Sequence, residues 1–191
     1  MKKGLLSTVI ITLLVLIGFL VKALLAKNFE FIGYWVVLVA LFLVVVRLDK
    51  KYNFPLPAIW LFSIWSMLHM AGGLFKINGT RLYDTILIPI IGEPFLILKY
   101  DQVIHAYCYF AIAILVYFIL KKYIPNKTAL VYNSIMVAFG VGGLNEIIEF
   151  SMVVFANAAD AVGGYYNNAL DLVTNLIGAI IGVFFAKKVW R

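Results

Sequence analysis

Apolar residues run along this chain in stretches of about 20, broken by short polar segments. A helix of that length crosses the ~30 Å hydrocarbon core of a bilayer. The pattern predicts six spans, at about 4–26, 29–47, 55–75, 102–121, 129–156 and 167–187. Pro55 and Pro57 suit the first turn of the third, where a missing N–H costs little. A further apolar stretch, from Leu82 to Leu98, is short and is interrupted by Pro89, Gly92 and Pro94, with Glu93 in its second half. Broken backbone at membrane depth is tolerated only where protein or a water-filled cavity receives it. Residues 82–98 are therefore expected to form a re-entrant or interfacial segment that acts as a lid. With no internal repeat, low-complexity tract or soluble domain, residues 1–191 read as a single transmembrane domain. The fold class is all-α, a polytopic integral membrane helix bundle.

Composition reinforces this reading. Of 191 residues 64% are hydrophobic and 13% charged, against about half and a quarter in an ordinary soluble domain. That much apolar surface needs lipid to cover it. Met1-Lys2-Lys3 followed by apolar Gly4 to Val21 resembles a secretory signal in outline. Its apolar run is too long and lacks a small-x-small cleavage site, so it reads as the first span. The single cysteine, Cys108, allows no internal disulfide and carries no information on compartment.

The net charge of +7 does not indicate nucleic acid, because the cations lie in short clusters between apolar runs. With six spans and both termini cytoplasmic, the inner side holds Lys2, Lys3, Arg47, Lys50, Lys51, Lys121, Lys122, Lys127, Lys187, Lys188 and Arg191. The other side holds Lys22, Lys27, Lys76, Arg81 and Lys99. This is the positive-inside bias, and counting 82–98 as a span would spoil it. Tyr100, Tyr165 and Tyr166 would mark the outer boundary, and Tyr52, Tyr123 and Trp190 the inner one.

The remaining polar residues gather at one depth. His69 lies late in the third span, and Asp101 and His105 open the fourth one turn apart. Glu146 and Glu149 lie late in the fifth at i, i+3, and Asp171 and Asn175 early in the sixth at i, i+4. Such pairs share a helix face, and the rise of about 1.5 Å per residue brings all four helices' groups into the outer half of the membrane. An ionised side chain at the bilayer centre costs at least about 2.5–3.5 kcal/mol. Clustered carboxylates therefore call for protonation or for a cation among them. The donor set Asp101, His105, Glu146, Glu149, Asp171 and Asn175 suits a divalent metal: magnesium, manganese or zinc. Glu146, Glu149 and His69 are the candidate catalytic bases. Arg81 and Lys99 would hold an anionic head group.

Structural roles compete at several of these positions. His69 could bridge helices, Asp101 could cap the fourth helix, and Asn175 could be interhelical glue. Gly178 and Gly182 have the small-x-x-x-small spacing of close helix contact, and packing is also expected of Gly140, Gly142 and Gly143. Two acids deep in one span, Glu146 and Glu149, gain nothing structural.

Tyr100-Asp101-x-x-x-His105, Asn145-Glu146-Ile-Ile-Glu149-Phe150 and Asp171-x-x-x-Asn175-x-x-Gly178-x-x-x-Gly182 resemble the VanZ-like membrane proteins. They are closest to the uncharacterised YjdF-type inner-membrane family, to which Leu68-His69-x-x-Gly72 is also similar. The resemblance covers about residues 60–185. The VanZ-like pattern has Gln where Glu149 stands and an Arg where this chain offers Tyr165, Tyr166 and Asn167. The YjdF-type pattern has an extra acid before the last aspartate, where only Asp160 stands nearby. The resemblance implies a multi-pass protein of a prokaryotic inner membrane.

The first functional expectation is a metal-dependent hydrolase or transferase acting on a lipid or lipid-linked substrate at the outer leaflet. Its partners would be the bilayer and that substrate, with no nucleic acid and with room for a homo-oligomer. The alternatives are a non-catalytic envelope or antibiotic-resistance factor that binds lipid or drug, and a proton-coupled carrier. A carrier should show polar groups continuing into the cytoplasmic half, where Asn133 and Ser134 are the main hints.

Overall fold

The computed structural model describes residues 2–156 and 164–190; Asp160 and Arg191 lie outside the described residues. Among the described residues, six helices are long and apolar enough to cross a membrane. They are α1 (Leu5–Leu25), α2 (Phe29–Tyr52), α3 (Leu56–Leu74), α4 (Tyr100–Leu120), α5 (Lys127–Ala156) and α6 (Tyr165–Val189). All six expected spans are present, with ends a few residues from the predicted ones. The chain falls into two compact units, Met1–Thr85 and Ile86–Arg191.

In the first unit, α1, α2 and α3 pack on one another. Asn28 caps α2 by accepting the amide of Phe31 at 3.1 Å, and α2 ends on Asn53 in the left-handed region. Pro57 falls in the first turn of α3. The buried positions of α1 include Thr8, Thr12 and Ala23, while Leu14 and Leu24 face outward, 62% and 54% exposed. This is the reverse of a water-soluble helix. Thr8, Thr12, Ser63 and Ser66 hydrogen-bond the carbonyls of Gly4, Thr8, Ile59 and Phe62, so their burial leaves no donor unmet. Trp35 Nε1 donates to the Leu16 carbonyl at 2.8 Å and ties α1 to α2. Lys2 pairs with buried Asp49 at 2.6 Å and also donates to the Phe54 carbonyl.

A tight hairpin follows α3. β1 (Lys76–Ile77) and β2 (Thr80–Arg81) pair antiparallel around Asn78-Gly79, whose φ values are 51° and 86°. Asn-Gly is the preferred two-residue turn with both central residues left-handed. A 3-10 turn at Leu82–Asp84 closes the first unit.

The second unit opens on a second antiparallel hairpin, β3 (Ile86–Ile91) with β4 (Ile97–Lys99). The broken stretch at 82–98 is thus built of turn and strand, with no α-helical part. Isoleucine-rich sequence favours a strand, and Pro89, Gly92 and Pro94 exclude a helix. Pro89 is tolerated because both strands of a two-stranded ribbon are edges. β4 runs directly into α4, and α4, α5 and α6 pack together, with α4–α6 the most intimate pair.

That intimacy rests on two glycines. A Cβ on Gly178 would meet the Ala106 carbonyl oxygen at 2.1 Å, and one on Gly182 would meet that of Phe110 at 2.4 Å. The helices touch backbone to backbone, as the spacing predicts. Gly142 also lies close, with an added Cβ 3.1 Å from Asn175 Cβ. Gly140 and Gly143 differ from the expectation: a Cβ there meets nothing within 4 Å, so no close packing requires a glycine at either.

Gly178→Val should lower unfolding stability by about 2 kcal/mol, in the range of overpacked cores, whereas Gly143→Ala should be neutral or slightly stabilising through its helix propensity. Denaturation in detergent micelles measures both.

Candidate functional site

α5 carries Glu146 on its protein-facing side, 4% exposed, between Leu144, Ile147 and Ile148, each 61% exposed. Apolar side chains thus cover the outside of the helix and an acid points inward. Glu146 and Glu149 share that inner face through their i, i+3 spacing. α4 places Asp101 and His105 opposite, and α6 places Asp171 and Asn175, both fully buried. The backbone contact at Gly178 and Gly182 holds α4 and α6 close enough for these short side chains to meet.

All six expected metal donors converge. Ligand atoms of Asp101, His105 and Asp171 lie within 4.8 Å of one another, as do those of His105, Glu146 and Glu149. His105 is common to both groups, and Asn175 reaches it directly. The His105 Nδ1 lies 3.1 Å from Asn175 Oδ1 and 3.3 Å from Glu146 Oε1. Its Nε2 faces Asp101 Oδ1 at 3.6 Å, too far for a hydrogen bond. Asp101 is not the helix cap: Lys99 holds that position, with the Gln102 side chain accepting its amide at 3.2 Å. The Asp101 carboxylate is thereby left to the cluster.

Four asparagines supply amide donors to the carboxylates. Asn145 donates to Glu149 at 2.7 Å, and Asn168 and Asn175 donate to Glu146 at 3.2 and 2.9 Å. The Asn167 amide reaches both Asp101 (2.9 Å) and Asp171 (2.5 Å). Lys99 joins the network by donating to Asn167 Oδ1 at 3.1 Å. Of these four, only Asn175 was expected at the site. The tandem Asn167-Asn168 is nonetheless a usable signal, because Asn167 stands one helical turn ahead of Asp171 at i, i+4 and so shares its face.

His69 and Arg81, also expected at the site, belong to the first unit. The His69 ring packs among Tyr34, Trp65 and Tyr83, with centroids 5.2, 5.7 and 5.7 Å away. Its Nδ1 lies 2.7 Å from the Tyr83 hydroxyl, which also reaches the His69 carbonyl at 3.0 Å. Arg81 pairs with Asp84 at 2.8 Å. Of the two hints of a carrier path, Ser134 is buried, whereas Asn133 is exposed and donates to its own helix at Ala129.

Asn175→Leu should cost about 1.5–3 kcal/mol of stability, because buried Glu146 loses a charge-assisted donor. Asn133→Ala should change stability by less than about 0.5 kcal/mol. Unfolding of the two variants in detergent, side by side, checks the contrast.

No curated protein and no solved structure matches the chain. One family does, over residues 5–190, and its description agrees with the six membrane-spanning helices. The chain belongs to that family, described as "Predicted membrane protein (DUF2238)", and is a multi-pass membrane protein.

Proposed function

We propose that this membrane protein binds a divalent cation between α4 and α6 and uses it as a hydrolase or transferase on a lipid or lipid-linked substrate. The observation that carries the reading is Asp171 Oδ1. It is fully buried and, among the described residues, has no hydrogen-bond partner. A buried carboxylate oxygen without a donor is costly, and a cation held with Asp101 and His105 would satisfy it.

The hydrogen bonds divide the labour. His105 Nδ1 faces two acceptors, so in the neutral ring it carries the hydrogen and Nε2 keeps its lone pair. Nε2 then points toward Asp101 with that lone pair available to a metal. Glu146, which already accepts from Asn168 and Asn175, orients the ring from behind in the carboxylate–histidine–metal manner. Glu149, with a single amide donor from Asn145 in the network above, is the better general base. The cation would polarise a phosphoryl or acyl oxygen and activate water. Magnesium, manganese and zinc all suit this mixed donor set. Lys99 brings positive charge to the same network through Asn167 and supports an anionic head group.

The motif order supports a relationship to VanZ-like and YjdF-type proteins. That resemblance supports a prokaryotic inner membrane, and the charge bias supports an orientation with both termini cytoplasmic. The exposure of Asn133 removes one of the two hints of a carrier path; Ser134, buried and with no hydrogen-bond partner among the described residues, keeps the other.

Purified protein loaded with manganese or zinc and then dialysed should retain about one ion per chain by elemental analysis. Asp171→Asn should abolish retention, and Glu146→Gln should weaken affinity about 10–100-fold, as loss of an orienting carboxylate does. Wild-type protein that retains no metal overturns the proposal.

A further inference from the structure

β3 presents six consecutive apolar residues, Ile86 to Ile91, and all are exposed. The register shifts between Ile86 and Ile91, so strict alternation does not assign their faces, but all six side chains are exposed whichever side they take. A hairpin with a face in water carries polar residues on that face; β3 carries none on either. Its surroundings must therefore be apolar on both sides.

The attachment of the hairpin identifies those surroundings. β4 ends at Lys99 and α4, a membrane span, begins at Tyr100 with no residue between. The hairpin is thus continuous with a surface that lipid already covers. A two-stranded ribbon has unpaired edge groups and cannot lie in the hydrocarbon centre, whereas the boundary with the head groups accepts both its apolar faces and its edges. Lys99 and Tyr100 at its base are residue types of that boundary. The turn holds Glu93, which is exposed, and Phe95, whose ring packs on Tyr166 at the start of α6, 5.2 Å between centroids.

We infer that the β3–β4 hairpin is embedded in the interfacial layer of one phospholipid leaflet. Asp101 follows β4 by two residues, so this placement sets the carboxylate cluster near head-group depth. Resting on the metal-enzyme reading above, the substrate is then a lipid head group that reaches the cluster laterally from the leaflet rather than from bulk water.

The test uses Leu87→Cys and Ile88→Cys, two neighbouring exposed positions of β3, in a Cys108→Ala background. Each is spin-labelled and placed in nanodiscs of phosphatidylcholine and phosphatidylglycerol. Both labels should collide readily with oxygen and be shielded from a water-soluble nickel reagent. Ready collision with nickel at either position overturns the inference, since that part of the strand is then in water. Low accessibility to both reagents also overturns it, since protein then covers the hairpin. Ile88→Trp, quenched by brominated lipid, gives a second reading if labelling disturbs the fold. Repeating the labels with Asp171→Asn separates the two proposals: the hairpin should stay embedded after metal retention is lost.

Discussion

The contact between α4 and α6 at Gly178 and Gly182 sets the terms for the second unit. Side chains of any other kind would hold the helices apart, because each added Cβ would fall on a carbonyl oxygen of α4. Lipid supplies no hydrophobic drive to bring two apolar helices together, so van der Waals contact between backbones takes its place. The same contact sets Asp101 and His105 of α4 against Asp171 and Asn175 of α6.

Acids placed there need donors, and the four asparagines provide them without adding charge. An arginine or lysine at each site would neutralise the carboxylates and leave nothing for a cation. An amide orients a carboxylate and leaves its charge in place. Asn167, which serves two aspartates at once, is the clearest case. Among the described residues Asp171 Oδ1 is left without a donor, and the proposed cation rests on that residual acceptor.

Much of this was legible in the chain. The six spans follow from apolar length, and the inward acids follow from their cost in lipid. The i, i+3 and i, i+4 spacings put Glu146 with Glu149 and Asp171 with Asn175 on common faces. Other features were missed for definable reasons. The hairpin within 82–98 is not legible because a short apolar stretch broken by Pro89, Gly92 and Pro94 fits an interfacial segment of any backbone form, and the strand preference of Ile86 to Ile91 does not decide it alone. Asn145, Asn167 and Asn168 are not legible as partners of the acids, because an amide in a span is equally well accounted for by hydrogen bonding between helices.

Helical periodicity assigns a residue to a face and a depth, and both are properties of one helix that the order of residues is enough to fix. Which face meets which neighbour is a property of pairs. It took the packed helices to turn one nitrogen of His105 to Glu146 and Asn175 and the other to Asp101, and the folded first unit to seat His69 beside Tyr83. Packing between helices depends on the shapes of both surfaces at once, and spacing along either helix carries no record of the other.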